Sequence, residues 1–147
     1  MLAALGCRMA KVWYTLSVKQ PWAALLVAGV KTIEVRTWPT TVRGPVLIHA
    51  GKKADDREEG WALVSTPELA IATQQLGGVI GVADLFGCIG YRTLDSFVAD
   101  RAKHHNEPGW YNPKRMYGFE FRNARPLPFL ACPGNTFFFK VEGIELS

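Results

Sequence analysis

The stretch AGVKTIEVRTW, Ala28 to Trp38, interleaves Lys31, Glu34, Arg36 and Trp38 with Val30, Ile33 and Val35. These residue types suit a flat, polar ligand. The Arg36 guanidinium can hold a phosphate or a base carbonyl in a forked contact. Glu34 can accept from an exocyclic amine, as carboxylates do with cytosine, or act as a general base on a bound water. An indole such as Trp38 or Trp22 offers a stacking face, and a stacked base contributes about 1–3 kcal/mol. The same residues also fit a plainer account. Glu34 and Arg36 would then form an exposed ion pair worth about 0–1 kcal/mol, and the tryptophans would be core residues.

The elements around this stretch decide how such side chains are presented. KTIEVRTW alternates as a strand does, with Ile33, Val35 and Thr37 on one face and Thr32, Glu34, Arg36 and Trp38 on the other. VWYTLSV, Val12 to Val18, is β-branched and aromatic and predicts a strand before it. Between them, Pro21 suits a first helical turn and Gly29 a stop, so Pro21 to Ala28 predicts a short helix. PVLIHA is a fully apolar strand ending in His49, flanked by Arg43, Lys52 and Lys53, which could form a phosphate-binding rim. A lone histidine ending such a strand is more often a hydrogen-bonded structural residue than a catalyst.

Further along, Asp55 to Ser65 predicts a helix. STPELAIATQQLGG predicts another, with Ser65 and Glu68 as a capping box, Pro67 in the first turn and Gly77 at the stop. GVIGVADLFGCIGY is a glycine-studded strand, and Leu94 to Lys103 a helix. HHNEPGWYNPKR is a loop whose Trp110, Tyr111, Lys114 and Arg115 could close over a ligand. YGFEF and TFFFKVEGIEL are strands. Strands outnumber helices and connections are short, so a mixed, barrel-like domain is expected rather than a doubly wound sheet.

The 147 residues fit one domain, 12–147, preceded by an N-terminal extension over 1–11; Met9 offers an alternative start. The chain is 48% hydrophobic and 20% charged, with net charge +4 and a pI of about 9.1, which fits a folded, mildly basic protein. Cys7, Cys88 and Cys132 are too few and too scattered for a disulfide framework, and reduced thiols in the cytoplasm are expected. The apolar run at the start is too short for a signal peptide, and no stretch approaches the roughly 20 apolar residues of a membrane span. His104 and His105 beside Glu107 invite a metal reading, but no third ligand is placed by spacing, so no metal and no cofactor is expected. The glycines of GGVIGVADLFG do not fit a dinucleotide fingerprint.

The run LSVKQPWAALLVAGVKTIEVRTWPTTVRGPVLIHAGK resembles the ASCH domain family of the PUA-like superfamily. The resemblance rests on QPWA opening the helix, GVKTIEVR, RG before the apolar strand ending in His49, and a late YGF. It is strong from Leu16 to Lys53 and loose from Asp55 to Arg115. It implies an α+β fold, a PUA-like mixed β-pseudobarrel with flanking short helices. It also implies a cleft beside the first helix that binds RNA, or a single nucleotide or nucleoside, in a protein expected to be monomeric. Gln20, Trp22, Lys31, Glu34, Arg36, Trp38, Arg43, His49 and Lys52 are the expected ligand-binding residues. One branch of the family removes the acetyl group from acetylcytidine, with a lysine activating a threonine three residues on. Here Lys31 is followed at that spacing by Glu34, so hydrolysis of acetylated cytidine or of RNA would need Lys31 and Glu34 as the catalytic pair.

Overall fold

The computed structural model describes residues 11–146. The N-terminal extension up to residue 10, with Cys7 and Met9, lies outside the described residues. Six strands and several short helices follow in the order β1 (Val12–Val18), α1 (Trp22–Val27), β2 (Ile33–Arg36), β3 (Gly44–Ala50), α2 (Glu58–Trp61), α3 (Pro67–Ala72), β4 (Gly78–Gly90), α4 (Leu94–Ala99), α5 (Arg101–His104), a 3₁₀ turn (Pro108–Trp110), β5 (Tyr117–Ala131) and β6 (Phe139–Glu142). The strands form one mixed sheet ordered β2-β5-β4-β3-β1-β6. Among the described residues only the β1–β3 pair is parallel; the others are antiparallel. This is the expected α+β pseudobarrel. Its edge strands β2 and β6 do not pair with each other, so the barrel is not closed by backbone hydrogen bonds.

Side chains close the seam instead. Trp38, just past β2, packs edge-on against Phe119 of β5 and against Phe137 and Phe138 on the approach to β6, with centroids 5.0–5.7 Å away. Arg36 of β2 donates through Nη2 to the Ser17 carbonyl of β1 at 2.6 Å. Such aromatic contacts contribute about 0.5–1.5 kcal/mol each beyond the apolar area they bury.

Helix α1 packs against β3, β4 and β5. All six of its residues are buried, which its sequence WAALLV demands. It sits close to β4 because Gly81 has no side chain: a Cβ there would lie 2.5 Å from a methyl of Val27. Gly29, at φ +76°, ends the helix in the left-handed conformation, and the chain turns directly into Lys31 and β2.

Several boundaries differ from those read in the sequence. The helix predicted over Asp55 to Ser65 is only Glu58–Trp61. The cap of α3 is Thr66, whose hydroxyl accepts from the Leu69 amide, and not Ser65. The helix predicted over Leu94 to Lys103 breaks at Asp100, which leaves helical geometry and accepts from the Tyr91 hydroxyl at 2.7 Å. β5 runs ten residues past YGFEF, through Pro126 and Pro128. It pairs with β2 only from Tyr117 to Glu120, so its far half has one free edge on which proline costs no ladder bond.

Candidate functional site

β2 is covered on both faces. Ile33 and Val35 turn towards a satellite cluster of Tyr91, Phe97 and Met116, with a Gly118 Cβ position only 2.8 Å from Ile33 and Tyr91. Glu34 and Arg36 turn the other way, onto the face that carries Tyr117 and Phe119 and meets the main core. Beside α1, whose Trp22 lines it, that face opens into a cleft of about 600 Å³. This lies within the volumes usual for small-molecule sites.

Lys31 stands at the back of the cleft. It is buried, with 2% of its surface exposed. Its ammonium donates to the His104 carbonyl at 2.9 Å and pairs with Glu34 Oε1 at 3.3 Å. It also lies 4.5 Å from the Trp22 ring centre. Burial pushes the Lys31 amine below its usual pKa, and the charges of Arg57 and Arg36 push the same way, while Glu34 opposes them. The other Glu34 oxygen accepts from Arg36 Nε and Nη2 at 3.2 and 2.9 Å. Lys31, Glu34, Arg36 and the Ser17 carbonyl thus form one continuous polar chain across the seam.

Trp22 is the apolar wall, 3% exposed, and its indole N–H donates to Asp55 Oδ2 at 2.9 Å. Asp55 also accepts from Arg57 Nε at 3.0 Å. Burial works to raise the Asp55 carboxyl, but its hydrogen bonds from Trp22 and Arg57 outweigh that and hold it below the ordinary value. Arg57 is fixed further by Glu59 Oε1 and by Asn106 Oδ1, each 3.1 Å from Nη1. Its guanidinium lies 3.7 Å from the Trp110 ring centre and 5.0 Å from that of Trp22. Arg57 Nη2 and Arg36 Nη1 have no protein acceptor among the described residues, so each presents a held, positively charged donor. Lys19, Lys52 and Lys53 line the rest.

The structure therefore brings Trp22, Lys31, Glu34, Arg36 and Lys52 to one cleft. It puts four other expected residues elsewhere. Gln20 is fully buried and ties helices together, accepting from the Ala24 amide and donating to the Ala72 and Gln75 carbonyls. Trp38 shares the Glu34 and Arg36 face but belongs to the aromatic seam. Arg43 sits on an exposed turn and donates to the Thr40 and Val42 carbonyls. His49 is buried on the Leu47 side of β3 and does not line the cleft; its Nε2 donates to the Cys132 carbonyl and its Nδ1 accepts from the Ser17 hydroxyl. Of the loop histidines, His104 is stacked on Phe97, donates through Nε2 to the Phe97 carbonyl and accepts at Nδ1 from the Asn106 amide. Among the described residues no group of three or more His, Cys, Asp or Glu is placed to hold a metal ion.

A family model described as the ASCH domain matches residues 16–128. The chain belongs to the ASCH domain family. It is 31% identical over 113 residues to activating signal cointegrator 1 of Homo sapiens, and 34% identical over 113 residues to that of Mus musculus. Each match covers 70% of this chain and 19% of the relative, so this ASCH domain spans about a fifth of those proteins. Among solved structures, the ASCH protein from Zymomonas mobilis superposes with a TM-score of 0.56 at 16% identity, covering 80% of this chain and 72% of that one. A point mutant of that protein gives the same score and identity. These likenesses establish the fold. No helix of the described residues is long and apolar enough to cross a membrane.

Asp55, Arg57 and Asn106 were not singled out by the sequence. They lie in the stretch where the ASCH resemblance is loose, and Asp55 and Arg57 stand in the stretch Asp55 to Ser65, which predicts only a helix. The one usable signal was Trp22: a buried indole needs an acceptor, and Asp55 supplies it.

Proposed function

We propose that the cleft of this ASCH domain binds one nucleotide unit, and that RNA is the polymer presenting it. The observation that carries this reading is electrostatic. Six cations, Lys19, Lys31, Arg36, Lys52, Lys53 and Arg57, line the cleft against two carboxylates, Glu34 and Asp55. Setting these aside from the 17 Lys and Arg and the 13 Asp and Glu leaves 11 of each sign elsewhere. The whole net charge of the chain is concentrated at the cleft, which favours an anionic ligand. The half-exposed ring of Trp110 and the two held guanidiniums suit a stacked base and its phosphate or carbonyl groups, with the buried Trp22 as an apolar backing. The free thiols of Cys88 and Cys132 support a cytoplasmic setting.

Fluorescence polarisation of labelled single-stranded RNA at low salt tests the reading. Binding is expected, with log K falling against log salt by about 0.7 per phosphate neutralised. The double variant Lys52→Ala/Lys53→Ala, at two exposed positions, should weaken binding and flatten that slope. If wild-type protein binds neither RNA nor free nucleotides, the reading fails.

A second reading is hydrolysis of acetylated cytidine or of RNA, with Lys31 and Glu34 as the catalytic pair. The amine held below its usual pKa beside a carboxylate favours it. The near-complete burial of Lys31 and its bond to the His104 carbonyl favour a positioning role instead. Product formation from acetylcytidine or from short RNA, lost in Lys31→Met, would select the enzyme.

A further inference from the structure

A second hollow of about 390 Å³ adjoins the cleft and shares its Arg57 and Trp110 wall. Its charge is of the opposite sign. Glu58, Glu59 and Glu107 line it against the single cation Arg57, and none of the cleft lysines reaches it. Glu59 is held in place: Oε1 accepts from Arg57 and Oε2 from the Glu107 amide at 3.0 Å. Glu58 and Glu107 are exposed. A phosphodiester strand running out of the cleft past Trp110 would meet these carboxylates at close range. One leaving past Lys19, Lys52 and Lys53 would meet cations. Like charges repel and opposite charges attract with the same strength at a given distance, so the two exits are strongly unequal.

We propose that the acidic hollow beyond Trp110 is an electrostatic stop, and that the cleft takes the terminal nucleotide of a single strand, not an internal one. This rests on the reading of the cleft as a nucleotide site. A terminal nucleotide has one phosphodiester neighbour, which leaves over the lysines. An internal nucleotide has two, and its second must pass the glutamates. Trp110, half exposed and stacked on Arg57, is the surface against which the end of the strand abuts.

The test compares a single-stranded RNA with the same sequence closed into a relaxed covalent circle, both by competition polarisation at one salt concentration. The linear strand should bind at least about tenfold more tightly than the circle. In Glu58→Gln/Glu107→Gln, which removes two exposed charges and leaves Glu59 to hold Arg57, the circle should gain most of that factor while the linear strand changes little. Equal affinities for line and circle in the wild-type protein overturn the stop and leave nucleotide binding intact. A circle that stays weak in the double variant also overturns it, by assigning the selection to cleft shape. Failure of the linear strand and of nucleoside monophosphates to bind removes the nucleotide reading itself.

Discussion

Removing either end of the Lys31–Glu34 pair should have unequal consequences. In Lys31→Met the ammonium is replaced by an apolar group of similar length lying against Trp22. Glu34 keeps two hydrogen bonds from Arg36, and the His104 carbonyl keeps its bond from Asn106 Nδ2 at 3.1 Å. Nothing charged is left buried without a partner, and the desolvation of the lysine is relieved. The expected cost is within about 1 kcal/mol, because the uncompensated buried charge that makes breaking such a pair costly does not arise: Arg36 still neutralises Glu34. In Glu34→Gln the ammonium stays buried with its counter-charge gone and two arginines nearby. Breaking a buried pair in this way costs about 3–5 kcal/mol.

Discharging the lysine limits that cost, which gives the prediction its pH dependence. A lysine whose folded pKa lies below 10.5 binds more protons in the unfolded chain than in the folded one between those two values. Stability therefore rises with pH across that window and is lowest below the folded pKa. Glu34 raises the Lys31 pKa, so Glu34→Gln lowers it further and widens the window. Urea unfolding at pH 7 and at pH 9.5 is the assay, with wild type as reference. The Glu34→Gln deficit should be near 3 kcal/mol at about pH 7 and clearly smaller at about pH 9.5. A deficit independent of pH, or a larger loss for Lys31→Met than for Glu34→Gln, would refute this account of the site.

Two further predictions concern the elements that hold the cleft open. Trp38→Ala should cost about 3 kcal/mol and lower Tm by roughly 10 °C, read by circular dichroism, because the aromatic seam replaces the missing β2–β6 pairing; a loss below about 1 kcal/mol would mean the seam closes without it. His104 is held below its ordinary pKa of 6.5, chiefly by burial, so the unfolded chain binds the extra proton first; the stability this confers is complete above about pH 6.5 and is lost as pH falls through the folded value. Urea melts should accordingly show stability falling from about pH 6.5 downward, and His104→Gln should flatten that fall.

What could be read from the chain divides along physical lines. β1 was legible to the residue, since VWYTLSV offers no competing reading, and the period-two alternation of β2 correctly put Glu34 beside Arg36. The alternation could not say which face of β2 the main core would meet. The apolar pair Ile33 and Val35 suggested theirs, yet it packs on the satellite cluster, and the charged pair faces the barrel. That inversion has a local cause. Ile33 and Val35 have Tyr91, Phe97 and Met116 to cover them only because α4 and α5 fold back over β2, joined by the Thr32 amide donating to the Lys103 carbonyl at 3.0 Å.

The same fold-back builds the cleft. The break between α4 and α5 at Asp100 turns His104 so that its carbonyl meets Lys31 and its ring is locked by Phe97, and it brings Asn106 against Arg57. No helical period marks such a break, because its cause is the Tyr91 hydroxyl nine residues earlier. The run from Leu16 to Lys53 therefore contains one wall of the cleft, while the second wall is assembled from Asp55, Arg57, Asn106 and Trp110 by contacts far apart in the chain. Under the proposed function, the first wall, with Glu34 and Arg36 side by side, would hold a flat polar ligand. Under the stop proposed above, the assembled wall, with its glutamates just beyond Trp110, would set how much of a strand can enter.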